Sequence, residues 1–193
     1  MKKTIIAFAA FAATCAAQAG GFYIGGQYGS AGVKSEDVNT SVDSGRIFGG
    51  YRLNEVVAIE LGYTQLNGAN YTLNTTTLGQ RLLGRSAITR GTLTMNGLDL
   101  SAIVSPFSSV RGLYFRAGVT EFNTKDEWTN FLDGAAQDSK SKTYGGLGTT
   151  FGIGYDWKLG PGALRFEANQ MFSISDLRDN DAMTYSIGYL YAF

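Results

Sequence analysis

The sequence predicts an all-β protein: an eight-stranded antiparallel up-and-down transmembrane β-barrel. Three observations predict it. Tyr185, Ile187, Tyr189, Tyr191 and Phe193 recur at every second position, and period two places all five on one strand face. A sheet showing water such a stripe would aggregate, so it faces core or lipid. Eight segments alternate apolar with small or polar residues over about the 9 to 11 residues that a tilted membrane strand requires. The connections between them alternate short with long and polar, the pattern of periplasmic turns and extracellular loops.

The start of the chain reads as an export signal. Lys2 and Lys3 precede an apolar run from Ile5 to Ala13, and Ala17-Gln18-Ala19 is the small-x-small pattern that signal peptidase cuts, making Ala17 and Ala19 the cleavage residues. The run is far shorter than the roughly 20 residues of a spanning helix. Cys15 suggests a lipoprotein cysteine, but Thr14 before it is bulkier than the small residue expected there and the better cleavage site lies after it. The expected organisation is a removed signal over 1–19 and one barrel domain over 20–193. Removing 19 of 193 residues leaves 174, a size for one domain. Without Cys15 the mature chain has no cysteine, which excludes a disulfide scaffold and a thiolate metal site.

Loss of Lys2 and Lys3 takes the basic count from 16 to 14 against 16 acids, so nothing in the net charge attracts nucleic acid. Glycine is abundant at 26 residues against two prolines, and past the signal there is no long uninterrupted apolar run. Only helices and closed barrels cross a bilayer, because hydrocarbon offers no partner to an unpaired backbone group. This chain spans, if it spans, as strands.

The first strand, 21–31, is rich in glycine and aromatics and its pattern assigns no face. The second, 45–53, brings in Arg46 and Arg52. In the third, 56–66, Val57, Ile59, Leu61 and Tyr63 oppose Ala58, Glu60, Gly62 and Thr64. The fourth, 92–104, sets Leu93 and Met95 on the parity opposite to Leu98, Leu100, Ala102 and Val104. A β-bulge near Asn96-Gly97 reconciles them, as does a strand that starts later. The fifth, 111–121, opposes Leu113, Phe115, Ala117 and Val119 to Tyr114, Arg116, Gly118 and Thr120. In the sixth, 145–157, Leu147, Phe151, Ile153, Tyr155 and Trp157 face away from Gly148, Thr150, Gly152, Gly154 and Asp156. The seventh, 163–173, sets Leu164, Phe166 and Ala168 against Arg165, Glu167 and Asn169, and the eighth, 183–193, carries the closing stripe. The polar face is charged at its centre, where a soluble sheet would keep its core.

Leu53 to Glu55, Ser105 to Val110 and Lys158 to Gly162 are the short connections; Gly32 to Ser44, Asn67 to Gly91, Phe122 to Tyr144 and Ser175 to Ala182 are the long polar ones. With an even strand count, both termini fall on the short-turn side. Leu78, Leu82 and Leu83 among Arg81 and Arg85 have the spacing of a short amphipathic helix on the rim, though a mobile loop fits equally.

Gly21-Phe22-Tyr23-Ile24-Gly25, Gly49-Gly50-Tyr51-Arg52-Leu53-Asn54, Ala58-Ile59-Glu60-Leu61-Gly62-Tyr63 and the closing Tyr189-Leu190-Tyr191-Ala192-Phe193 occur in the order seen in a known family. The chain resembles the OmpA/OmpX-type eight-stranded outer-membrane proteins of Gram-negative bacteria, a group that includes the opacity-like barrel domains. The resemblance implies residence in the cell outer membrane, contact with its lipid and lipopolysaccharide, and delivery by periplasmic chaperones to the barrel-assembly machinery. It also implies that Tyr189, Tyr191 and Phe193 form the C-terminal assembly signal. No peptidoglycan-binding domain follows Phe193, so wall tethering of the full-length OmpA kind is not expected.

The absence of histidine removes Ser-His-Asp and Cys-His triads and imidazole metal sites, and the barrel lipases, acyl-modifying enzymes and omptin-type proteases it resembles in fold rely on that residue. A carboxylate-pair hydrolase built from Glu60, Asp99, Asp156 and Glu167 is the residual enzymatic option. The reading adopted is no enzyme and no cofactor. The inward candidates Arg46, Arg52, Glu60, Arg116, Arg165 and Glu167 mix both signs. Charges buried in a lumen persist only when paired and hydrogen-bonded, so an ion-pair network bracing the interior is expected. Eight strands enclose a space that side chains just fill, and wide channels need about 16.

Three functions compete. The first is a non-enzymatic outer-membrane barrel that supports the envelope and presents surface loops, with adhesion as a role. The second is a small pore or transporter for ions or small solutes. The third is a soluble lipocalin-like binder of apolar ligands, which needs its oily residues inside, the reverse of what Glu60, Arg116 and Glu167 suggest.

Overall fold

The computed structural model describes residues 21–35, 38–77, 80–81, 83–107, 111–173 and 181–193. Its strands are β1 (Phe22–Ser35), β2 (Val38–Arg52), β3 (Val57–Asn74), β4 (Ala87–Val104), β5 (Leu113–Leu132), β6 (Ala135–Leu159), β7 (Gly162–Ser173) and β8 (Asp181–Ala192). Each pairs antiparallel with its sequence neighbours, and β1 closes on β8 with Tyr23 opposite Ala192 and Gln27 opposite Gly188. Closure removes every edge at membrane depth, which hydrocarbon demands.

Alternation divides the wall as the parity predicts. Ile47, Ile59, Leu100, Phe115, Phe151 and Phe166 are exposed on the outside, as is the closing stripe of Tyr185, Ile187, Tyr189, Tyr191 and Phe193. Arg46, Glu60, Arg116, Arg165 and Glu167 are buried inside. Toward the long-connection end the outer face turns polar at Asp43, Gln65 and Glu121, marking the top of the lipid-facing band. The first strand resolves into inward Tyr23, Gln27 and Ala31 and outward Ile24 and Tyr28.

Two expectations are corrected. The long connections 32–44, 67–91 and 122–144 are largely strand: β1 and β2 stay paired as far as Ser35 opposite Val38, and β3 to β6 run on beyond the band as a four-stranded sheet after β2 leaves β3 at Ser44 opposite Leu66 and β7 leaves β6 at Gly148 opposite Ser173. These extensions stand outside lipid, so polar residues occupy both faces and no apolar alternation announces them. The β5–β6 hairpin turns at Asp133-Gly134, with φ of 51° and 82°, the two left-handed residues a tight primed turn needs.

The fourth strand keeps one parity and has no bulge at Asn96-Gly97. Leu93 and Met95 point inward, where they pack against Ala31, Val42 and Leu66. The irregularity lies across from them in β3, where Leu66 pairs with Met95 and Ala69 with Leu93, so Asn67 and Gly68 oppose one residue. Of the suggested rim helix, Gln80 and Arg81 are helical and Leu83 is 77 % exposed, whereas Leu78 and Leu82 lie outside the described residues.

Candidate functional site

The lumen is layered. Nearest the short turns, Tyr23, Phe48, Ala58, Ile103, Tyr114, Ala163 and Leu190 form an apolar floor contributed by seven strands. Five of the seven (Phe48, Ala58, Ile103, Tyr114 and Ala163) sit two residues from an inward side chain of the next layer up, so strand alternation alone stacks polar and charged groups on the floor. Above that charged layer, Ala31, Val42 and Leu66 with Leu93 and Met95 form a roof toward the external end.

Three arginines and four carboxylates build the charged layer. Arg46 Nε donates to Asp99 Oδ2 at 3.1 Å, and its Nη2 donates to Asp99 Oδ1 at 3.0 Å and Glu60 Oε2 at 3.2 Å. Arg116 donates to Glu167 Oε1 at 2.9 Å, to Ser101 Oγ at 3.0 Å and to Asp99. Arg165 forks onto Asp156 at 2.7 and 2.9 Å and reaches Glu60 across the lumen. Tyr23 donates to Glu60 at 2.9 Å and Tyr114 to Glu167 at 2.7 Å. Every carboxylate oxygen of the layer accepts at least one hydrogen bond, the condition under which buried charge is tolerated.

The floor contributes electrostatically as well. The Arg165 guanidinium lies 4.6 Å from the Tyr114 ring centroid and 4.9 Å from that of Phe48, and Arg46 lies 4.7 Å from Phe48, within cation–π range. Room for the guanidinium comes from Gly62, where an added Cβ would meet both Arg46 and Asp99.

Of the six sequence candidates, Arg46, Glu60, Arg116, Arg165 and Glu167 meet in this layer. Arg52 does not. It ends β2 at the short-turn mouth, exposed, with its guanidinium 5.7 Å from the Tyr23 ring centroid; its parity is inward, but the strand stops beyond the filled section. Asp99 and Asp156 join the layer, and their parity marked them as inward carboxylates before any coordinates. Tyr23, Tyr114, Ser101 and Gln27 had no such signal, because a hydroxyl or amide on an inward face looks the same whether or not an arginine is opposite.

A family model described as the outer membrane protein beta-barrel domain matches residues 4–193. The chain belongs to that family. It is a bacterial outer-membrane barrel in contact with the lipids of that membrane. No curated protein matches the chain. Among similar solved structures, Ail, the attachment invasion locus protein of Yersinia pestis, is 13 % identical with a TM-score of 0.61, covering 91 % of this chain and 100 % of that one. A major outer membrane protein of Thermus thermophilus is 12 % identical with a TM-score of 0.62 and the same coverage. Neisserial surface protein A is 17 % identical with a TM-score of 0.50 over 91 % of this chain and all of that one. At these identities the likeness is one of fold.

Two chambers flank the charged layer of this outer membrane barrel. A cavity of about 60 Å³ lies between layer and roof, and a vestibule of about 1210 Å³ opens at the short turns past Arg52, Lys158 and Asp156. At the strand closure, Phe193 donates its backbone N–H to Phe22 O at 2.9 Å and Tyr189 donates its hydroxyl to Leu159 O at 3.0 Å, while the Tyr191 and Phe193 rings meet edge-on at 5.2 Å. Ala17 and Ala19 lie outside the described residues. Beyond the lipid band, Tyr71 donates to Asp126 at 2.8 Å, and burial, reinforced by that carboxylate, pushes its phenol up to about 12.

Proposed function

We propose that the protein is a non-enzymatic element of the outer membrane that braces the envelope and uses its projecting β-hairpins for surface contact. The observation that carries this reading is the filled lumen. Its charges satisfy one another and rest on an apolar floor, so the interior serves stability and leaves the β3–β6 sheet as the part free to meet a partner. A lipocalin-like binder requires the opposite distribution of oily and polar residues, and a carboxylate-pair hydrolase requires acids not already held by arginine. Ail carries attachment and invasion in its name; adhesion is proposed for this chain on its hairpins, not on that name.

The exposed aromatics Tyr189, Tyr191 and Phe193 are proposed as the recognition element for the barrel-assembly machinery, reached with the help of periplasmic chaperones. The signal over 1–19, cut after Ala19, is proposed with them.

Two experiments on the full mature chain test the role. Planar-bilayer recordings of purified protein are expected to show no stable single-size openings; steady openings would establish the pore reading instead. Replacing 126–141 by a two-residue turn is expected to abolish cell-surface attachment while the barrel still migrates faster unheated than boiled. Undiminished attachment would refute the contact role of the hairpins.

A further inference from the structure

Charge is sorted along the barrel axis. Past the export signal, the short-turn end carries Arg52, Arg111 and Lys158 against Glu55 alone, and the lumen layer holds three arginines against four carboxylates. The other eight basic and eleven acidic side chains belong to the external end and its connections. A chain with 14 basic against 16 acidic groups therefore has a cationic mouth on the side of its short turns.

Arg52, Arg111 and Lys158 all line the vestibule of about 1210 Å³. Arg52 shares the inward parity of Arg46 on β2, and Lys158 that of Asp156 on β6, so strand geometry turns both toward the axis rather than toward lipid. β2 and β6 stand on opposite sides of the eight-stranded ring, so the two cations face each other across the mouth. Arg111 lies beside β6, where Asp156 donates its backbone N–H to Gly112 O at 2.9 Å. In the charged layer Arg46, Arg116 and Arg165 each hold two carboxylates. At the mouth, by contrast, Arg52, Arg111 and Lys158 form no ion pair among the described residues. Asp156 is already taken by the Arg165 fork, and Glu55 is exposed in the β2–β3 turn.

Like charges gathered in a recess with low-dielectric walls focus their field and concentrate ions of the opposite sign there. The layer beneath, one negative charge in excess, repels an anion from greater depth and so keeps it at the mouth. A lone carboxylate would satisfy one of the three cations. A phosphate monoester carries close to two charges and three terminal oxygens, an acceptor for each of two guanidinium forks and one ammonium. We propose that the vestibule is a binding site for a phosphate-bearing anion, held by Arg52, Arg111 and Lys158. The inward parity of Arg52 and Lys158 favours a soluble phosphate compound entering along the axis over a head group of the surrounding lipid. The site is independent of the contact role of the hairpins, which lie at the opposite end of the barrel.

The test titrates the intact mature barrel, in phosphatidylcholine nanodiscs, with glycerol 3-phosphate while backbone amide shifts are followed by NMR. Saturable shifts are expected at Leu53, Gly112 and Gly160 around the mouth, weakening as sodium chloride is raised, and none at Thr129 or Ser139 on the hairpins. No saturation by about 50 mM, well above the millimolar range of a weak specific site, would overturn the proposal. Arg52→Gln and Lys158→Gln are each expected to weaken binding about tenfold, the loss of one charge-assisted bond, while Lys158→Arg and the external control Arg90→Gln bind as the unmodified protein does. Unheated gel mobility confirms that each variant is folded, and equal binding in folded Arg52→Gln and Lys158→Gln would overturn the assignment. Replacing part of the lipid by phosphatidylglycerol is expected to leave the affinity for glycerol 3-phosphate within twofold. If that lipid instead produces the same shifts and competes, the soluble source is overturned and the phosphate is that of a head group.

Discussion

Removing an arginine from the charged layer should harm the barrel more than removing a carboxylate. Arg165 is 1 % exposed and holds Asp156 through two hydrogen bonds and Glu60 through a third. In Arg165→Met the apolar replacement still packs on Tyr114 and Phe48, but Asp156 loses both its bonds and the net charge of the layer goes from −1 to −2. Breaking a buried pair from one side costs about 3–5 kcal/mol. The Asp156 side chain is 13 % exposed toward the vestibule, so water recovers part of the loss and the lower end, about 3 kcal/mol, is expected. Glu60→Gln brings the layer to neutrality, leaving Arg165 with Asp156 and Arg46 with Asp99, and should cost about 1–2 kcal/mol, that of a weakened hydrogen-bond set. Since the two residues touch, the double variant should fall short of additivity by about 1 kcal/mol or more. Equilibrium urea unfolding in lipid vesicles, followed by fluorescence of Trp128 and Trp157, gives all three values. A Glu60→Gln loss as large as that of Arg165→Met, or strict additivity, would refute the idea of a layer held by its arginines.

Other outcomes follow from the same geometry. Ile59→Arg, on the lipid face, should cost about 2–4 kcal/mol, whereas Gln65→Arg on the same face but above the apolar band should cost about 0–1 kcal/mol; vesicle unfolding checks the difference. A Cβ at Gly154 would meet the Tyr114 ring and Phe166 O, while one at Gly45 meets nothing within 4 Å. Gly154→Ala should therefore destabilise by about 1–3 kcal/mol and Gly45→Ala should be near neutral by the same assay. The Tyr71 phenol, raised from 10.0 to about 12, is favoured neutral in the folded state, so its contribution is complete below pH 10 and is lost as pH rises toward 12. Carbon NMR of labelled tyrosine should show that late titration, and Asp126→Asn should move it toward 10.

Outside glycine-rich β1, whose lipid-facing Ile24 and Tyr28 stood out only in the structure, strand parity was legible wherever one face met lipid. Leu113, Phe115 and Val119 against Tyr114, Arg116 and Thr120 needed only period two, and the same rule gave Arg165 and Glu167 their place in the lumen. Where lipid ends, that signal ends with it: residues 122–132 and 135–144 carry polar side chains on both faces, so their strand character rests on the Asp133-Gly134 turn and on cross-strand pairing. Leu93 and Met95 misled for a related reason, since an apolar residue above the band packs inward against Leu66 while one within the band faces acyl chains. Arg52 shows the limit of parity alone, which gives a face but not the depth at which the lumen stops being filled.

The central claim is an inverted distribution, lipid outside and charge within, and β8 tests it most directly because its inward residues Thr184, Ser186 and Gly188 are small. The mature chain has no cysteine if cleavage follows Ala19, so single spin labels can be placed by Thr184→Cys, Tyr185→Cys, Ser186→Cys, Ile187→Cys and Tyr189→Cys. Oxygen accessibility in vesicles should be high at 185, 187 and 189 and low at 184 and 186. A profile without that two-residue period, or one with the order reversed, would contradict it.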